Sequence, residues 1–491
     1  MKNSHITVTD QFCGAGGSSQ GVRNVSKKIG GGVEVKLALN HWKLAIETHN
    51  TNFPDTLHDC TDIQACDPRR YPSTDILITS PECTNHSLAK GKKRKSRTDL
   101  FTQLDEGEER SRATMWDVPR FAEYHRYELI IVENVVDARY WVMWDSWLMA
   151  MHSLGYNHKC VYYNSMHAHP TPQSRDRIYV VFWKKGNKAP NLELRPIGYC
   201  VKCSKDTETF QSWKKPNIHW GKYRQQYVYR CPSCSEVVEP YYYSAFNCID
   251  WTIPGTRIGD REKLGMKELS QNTISRINFG REKFWNQPQI ISPRYTSGLG
   301  SRVKSAINEE LPTQPGDQSH ALLNPIITTT GYPPLLTSKE YDVKNQRVRN
   351  VIDDPYFTQS THQNIGVVMP FIVGNKGESK SRSVHALITD KSFRSFLANY
   401  YGTGHTITSM TEAARTFSTN DRAALVTEGR TPRLEDCYYR MLLAHEIQLG
   451  MAFDADYIVK GNSKQKVKQL GNAVTPPVME DLTARCIETL M

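Results

Sequence analysis

Ile6-Thr-Val-Thr9 runs directly into Asp10-Gln-Phe12-Cys-Gly14-Ala-Gly16-Gly17-Ser-Ser-Gln-Gly21, and the fold is decided here. The β-branched run reads as a strand, and the residues after the glycines read as a helix. Glycines between a strand and a helix let the backbone approach a ligand closely at the helix N-terminus. Their spacing is not GxGxxG, so alone it fits either a nucleoside cofactor or close packing.

Outward from this loop, further strands are predicted at Val33–Leu39, Asp75–Thr79, Leu129–Val132, Val161–Asn164 and Ile178–Trp183, separated by helical or polar segments. Such alternation predicts an α/β domain with a parallel sheet and crossover helices. Ligands bind such sheets at the carboxyl ends of the strands, and the unusual residues of this chain collect there. Asn40 and Trp42 close the second strand, offering a polar group for a ribose and a ring for an adenine, although a tryptophan packs there as readily. Asp62-Ile63 follows as a contact for an exocyclic amine. The strand Asp75–Thr79 leads into Pro81-Glu82-Cys83, where a cysteine is either a nucleophile or an inert buried thiol. Glu133-Asn134-Val135 ends the next strand, and a carboxylate after an apolar run is costly unless used or paired. Gln173-Ser-Arg175-Asp-Arg177 presents two fixed bidentate donors.

The composition narrows the class. Lys and Arg number 62 against 51 Asp and Glu, a net +11, which with 24 Tyr and 10 Trp fits a nucleic-acid partner or simply a basic soluble enzyme. Mean hydropathy is −0.57, and the apolar stretch Trp141–Met151 is broken by Asp145 and is too short for a membrane span. Met1–Asp10 carries no export-signal core, so membrane and secreted classes are not expected and a cytoplasmic location is. Four of the 12 cysteines form two pairs, Cys200-Val-Lys-Cys203 and Cys231-Pro-Ser-Cys234. Four thiolates from two tight turns make a closed tetrahedral site, the way structural zinc is held. The intervening Tyr227-Val-Tyr229 is predicted as ribbon strand. Residues 246–430 are irregular, with a weak echo between Glu310–Leu323 and Glu412–Val426, and from Tyr438 the pattern is helical again.

Phe12–Gly17, Pro81–Cys83, Glu133–Val135, Gln173–Arg177 and Gln469–Val474 occur in this order, and together they resemble the motifs of the DNA cytosine-5 methyltransferases. The resemblance covers roughly residues 5–190 and 435–491. It implies a Rossmann-like S-adenosylmethionine-dependent catalytic domain at 1–190, completed by 435–491. A zinc-ribbon insertion at 196–245 and a mostly β target-recognition region at 246–430 would lie between, the insertion apart from the catalytic core. The implied activity is methyl transfer to carbon 5 of a flipped cytosine in duplex DNA. Cys83 would attack carbon 6, Glu133 would hold N3 and the 4-amino group, Arg177 would bind O2, and Arg175 would support the loop. For the cofactor, Phe12 would face the adenine, and Gly14, Gly16 and Gly17 would admit the methionine part. Asn40, Trp42, Asp62 and Ile63 would line the adenosine pocket, and Asn472 would close it.

Two departures stand out. The family commonly has an acidic residue at Asn40 and proline at Glu82, and a carboxylate beside Cys83 opposes thiolate formation unless it is paired or turned away. The basic run Lys90–Arg97 is expected to grip phosphates. The resemblance also implies a bacterial or phage-infected cell, a monomer, and a cognate restriction endonuclease as a further partner. A tRNA-methylating branch of the family and a silent zinc-ribbon DNA-binding protein are the alternatives. The length between Gln173 and Tyr438 favours DNA, and intact Cys83, Glu133 and Arg177 favour catalysis.

Overall fold

The computed structural model of the chain describes residues 5–82, 114–250 and 434–491, parts of 253–278 and 303–324, and the strand segments 289–291, 395–401, 404–409 and 423–427. Its first strands are β1 (Ile6–Gln11), β2 (Val33–Asn40), β3 (Leu57–Cys60), β4 (Ile76–Thr79), β5 (Leu129–Val135), β6 (Tyr156–Asn164) and β7 (Asp176–Lys184). They form one sheet in the order β3-β2-β1-β4-β5-β7-β6. Chain order reverses between β1 and β4, which makes the carboxyl ends of these two strands the switch point where α/β sheets bind ligands. β5 is buried at every position, as expected of a central strand covered on both faces.

The helices are α1 (Gly17–Ile29), α2 (Lys43–Asn52), α3 (Asp117–His125), α4 (Trp144–Ser153), α5 (Ala444–Gly450), α6 (Ser463–Asn472) and α7 (Pro476–Ile487). Strand alternation sends Ile6, Val8, Ile76, Ile78, Leu129 and Ile131 to one face, where they meet Val22 and Val25 of α1 and Val478, Met479 and Leu482 of α7. Leu37, Leu39, Leu77, Ile130 and Val132 face the other way, onto Val118 and Phe121 of α3 and Trp144 and Trp147 of α4. The result is three layers, helix on sheet on helix. Thr475 and two prolines open α7, where rigid φ angles and missing N–H groups are tolerated. Among the described residues no helix is long and apolar enough to cross a membrane.

The sheet differs from the expected all-parallel one in two ways. β7 runs antiparallel to both β5 and β6. The link from Asn164 to Asp176 holds only a single 3-10 turn, Ser165–His167, and is too short for the crossover helix a parallel neighbour requires. β3 was not expected, because Leu57-His-Asp-Cys60 is a half-exposed edge strand without an apolar run.

Residues 196–245 hold β8 (Ile197–Cys200), β9 (Lys205–Glu208), β10 (Phe210–Trp213) and β11 (Tyr227–Arg230), paired as two hairpins. These hairpins do not stand apart from the catalytic core as expected. Tyr223, Tyr227 and Tyr229 are buried in the same cluster as Ile130, Trp147 and Phe182. Beyond them lies a five-stranded sheet, β12 (Thr256–Arg257), β13 (Gln289–Ile291), β14 (Val303–Ser305), β15 (Ala321–Asn324) and β19 (Tyr438–Met441), and a three-stranded one, β16 (Ser395–Tyr401), β17 (Gly404–Ser409) and β18 (Ala423–Thr427). The two halves of the sequence echo end in β15 and β18, in different sheets.

Candidate active site

Glu133 and Arg177 meet across two strands. β5 and β7 pair antiparallel with Val135 opposite Arg177, which brings Arg177 Nε to 2.8 Å from Glu133 Oε1 in a pair about one-tenth exposed. Neither residue is near the other in sequence; the register alone places the guanidinium beside the carboxylate. Asn134, one residue on, donates from Nδ2 to the carbonyl of Pro81 at 3.4 Å, joining the glutamate segment to the loop after β4. Cys83 and the run Lys90–Arg97 lie outside the described residues. Glu82 is paired: its Oε1 lies 3.6 Å from His41 Nδ1 at the end of β2.

Arg175 makes contacts over a long reach. It is 5% exposed, and its Nη1 donates to the carbonyls of Gly471 (2.9 Å) and Gln314 (3.2 Å). One side chain thereby ties the arginine loop to the Gln469–Val474 segment and to the region between. Asn472, exposed at the end of α6, stands against Gly316, where a methyl group would lie 2.7 Å from its Oδ1.

The glycine loop divides in a way the sequence did not show. Phe12 and Gly14 both have left-handed backbone, with φ of 55° and 53°. A methyl group at Gly14 would meet nothing closer than the Phe12 carbonyl, 3.8 Å away. At Gly16 it would lie 3.1 Å from the His49 ring and collide with the Tyr457 hydroxyl, and at Gly17 with the Val474 carbonyl. Gly16 also has left-handed backbone (φ 85°), and Gly16 and Gly17 leave the room in which the C-terminal segment closes on α1; of the three glycines Gly14 faces open space. Tyr457 fastens that closure by donating to the Ala15 carbonyl.

The remaining predicted contacts gather around the ends of β1 and β2. Asn40 is buried, and its Oδ1 accepts from the Trp42 amide at 2.8 Å. Trp42 is half-buried, with the Lys468 ammonium 4.7 Å from its ring centre. Asp62 is exposed and caps its own turn through the Gln64 amide. Ile63 is buried in the core, and its carbonyl accepts from Arg120.

Two polar features at this end of the sheet escaped sequence reasoning. Gln11 and Thr79 are opposite one another in β1 and β4 and fully buried. Neither the Gln11 amide nor the Thr79 hydroxyl has a hydrogen-bond partner among the described residues. A buried amide of this kind calls for a polar ligand or water. The second is a chain from Asp10 through Ser19 and His49 to His58, with contacts of 2.7, 2.8 and 2.8 Å. Burial pushes the Asp10 carboxyl up to about 7 against the Ser19 hydrogen bond. Burial, with the His58 and Arg23 charges, pushes His49 down to about 3. The available signal was polarity in a strand otherwise covered on both faces.

Cys200, Cys203, Cys231 and Cys234 come together with every Sγ within 4.8 Å of the others. The Cys200–Cys234 and Cys203–Cys231 distances are 3.5 and 3.8 Å. A tetrahedron with Zn–S bonds of about 2.3 Å has edges of about 3.8 Å, so the donors fit zinc. Each pair is followed by a serine in left-handed conformation, Ser204 (φ 53°) and Ser235 (φ 59°), so the two turns are built alike.

No curated protein matches the chain. Among solved structures, an Entamoeba histolytica methyltransferase is 10% identical with a TM-score of 0.47, each chain covered to 99%. A Spodoptera frugiperda DNMT2 mutant is 13% identical at 0.45, covering 98% of this chain and 99% of its own. A prophage-encoded Escherichia coli protein assigned as a DNA modification methyltransferase is 12% identical at 0.43, each chain again covered to 99%. The decisive match is to a family model, that of the C-5 cytosine-specific DNA methylases, over residues 6–296 and 333–488. With nearly its whole length matched, the chain belongs to the C-5 cytosine-specific DNA methylase family.

Proposed function

We propose that this cytosine C-5 methyltransferase acts on duplex DNA and works through Cys83, Glu133 and Arg177. The observation that carries the cytosine chemistry is the buried Glu133–Arg177 pair beside the loop that leads to Cys83; the choice of DNA rests on the long region between Gln173 and Tyr438. Along the pairing edge of cytosine, O2, N3 and the 4-amino group follow one another. A guanidinium next to a carboxyl group answers them in that order, Arg177 donating to O2 and Glu133 meeting N3 and the amine. With N3 held in this way carbon 6 becomes electrophilic. The Cys83 thiolate adds there, and the electron pair moves to carbon 5, which becomes nucleophilic. After carbon 5 is methylated, loss of its proton and expulsion of the thiolate restore the ring. The base reaches these groups only when flipped out of the duplex.

Family membership implies S-adenosylmethionine as cofactor, and it supplies the methyl group on a sulfonium when bound. The open space at Gly14 and the unanswered Gln11 amide at the switch point fit a polar nucleoside ligand. Phe12, Gly14, Asn40, Trp42, Asp62 and Asn472 would hold it, with Ile63 in the wall behind. Glu82 lies 3.6 Å from His41. The four-cysteine cluster would hold zinc in a structural role.

Incubation with labelled S-adenosylmethionine and parallel DNA and RNA substrates tests the substrate. Label in DNA is expected; label in RNA alone rejects the proposal. A duplex containing 5-fluorocytosine should trap the enzyme covalently, since fluorine cannot leave as a proton does. Glu133→Gln should lower turnover about 10²–10⁴-fold and keep cofactor affinity.

A further inference from the structure

The residues between the two cysteine pairs reach further than a metal site needs. Gly221-Lys222-Tyr223-Arg224 forms a tight turn, closed by the Lys222 amide donating to Gln226 Oε1 (2.8 Å) and the Arg224 amide donating to the Tyr227 carbonyl (2.8 Å). Lys222 Nζ lies 2.9 Å from Asp137 Oδ2, four residues beyond Glu133. The Tyr223 amide donates to Asp176 Oδ1 at 2.9 Å, and Asp176 immediately precedes Arg177. Two neighbouring residues of one turn thus hold the 3-10 turn Val136–Tyr140 that follows β5 and the first residue of β7, on either side of the Glu133–Arg177 pair. The Tyr223 ring is buried against His167 and Tyr229 at 4.6 and 5.7 Å between ring centres, so the turn cannot swing freely.

We propose that the Lys222–Tyr223 turn of the cysteine-rich insert is a positioning clamp that sets the separation and orientation of Glu133 and Arg177. The inference rests on the assignment of that pair to the cytosine base. Its physical reason is that an ion pair across two strand ends can pivot, whereas base recognition needs its geometry held within about 0.5 Å. Lys222 and Asp137 are 27% and 14% exposed, so breaking their part-buried pair costs some stability as well. The clamp is therefore read in the rate of the folded protein and in rescue by Lys222→Arg.

The test is a single-turnover methyl-transfer assay on unmethylated DNA of mixed sequence, or on tRNA if RNA proves to be the substrate. Lys222→Met is expected to slow the chemical step about tenfold. Zinc content and S-adenosylmethionine affinity should stay at wild-type values, and Lys222→Arg should recover the rate to within about threefold. In a Glu133→Gln background, Lys222→Met should cost no further rate, because the two changes act through one element. A wild-type rate for Lys222→Met, or a full additive loss in the double variant, overturns the clamp. If Lys222→Met does not fold, Asp137→Asn breaks the same contact from the catalytic side and must give the same pattern. A wild-type rate for Glu133→Gln sinks the base assignment instead, whereas a slow Glu133→Gln beside a normal Lys222→Met sinks only the clamp.

Discussion

Alanine at Gly17 and at Gly14 should fail for opposite reasons, although both glycines stand in one motif. At Gly17 the added methyl would lie 1.9 Å from the Val474 carbonyl oxygen, and ordinary contact begins near 3.4 Å. Backbone must therefore move by about 1.5 Å, and α7 moves with it, loosening Val478, Met479 and Leu482 against α1. Overpacking against backbone of this kind costs about 3 kcal/mol or more, equivalent to a melting-temperature loss of about 6–12 °C at the scaling for larger domains. At Gly14 no atom is displaced, and the penalty is only the left-handed conformation for an alanine, about 1–2 kcal/mol. The methyl there would occupy the open space offered to the cofactor, so affinity for S-adenosylmethionine should fall about tenfold, a 1.4 kcal/mol effect. Thermal unfolding and titration calorimetry on the two variants measure both quantities. A Gly17→Ala protein that melts like wild type would refute the packing argument. A Gly14→Ala protein with undiminished affinity would refute the cofactor argument.

Cys203→Ser or Cys231→Ser should lower bound zinc, measured by metal analysis. Because Tyr223, Tyr227 and Tyr229 sit in the catalytic core, calorimetry should show the main unfolding transition moving down, not a separate one disappearing. Arg175→Ala strands the carbonyls of Gly471 and Gln314 and should cost about 2–4 kcal/mol in urea denaturation; an unchanged midpoint would contradict the tie between the segments. The Asp10–His49 chain predicts a pH effect. Asp10 is raised from 3.8 to about 7, so its contribution to stability declines as pH rises through that range. His49 is lowered from 6.5 to about 3, so its contribution declines as pH falls from 6.5. The two oppose each other between about pH 4 and 6.5 in the wild type. His49→Asn leaves only the Asp10 effect, so relative to wild type its stability should decrease with rising pH by up to about 1.4 kcal/mol per unit. Denaturation at pH 4.5, 5.5 and 6.5 checks the sign, and a parallel pair of curves would refute it.

The sequence by itself determined the elements and the chemistry that are local. The glycine loop after Thr9, the order of the five motifs and the two CxxC turns were legible because each depends on spacings of a few residues. Strand and turn geometry translates such spacings directly into shape. Tertiary structure alone decided the rest. The direction of β7 followed from a connection too short to cross over, and the Glu133–Arg177 contact from the register of β5 on β7. Gly16 and Gly17 owe their size to Tyr457 and Val474, over 400 residues away, and Arg175 finds its acceptor 296 residues on, at Gly471. The insert looked self-contained because its cysteines are, yet its tyrosines complete a core begun by β5 and α4. Such contacts join residues distant in sequence through packing and register, and neither is written in the spacing of any one segment.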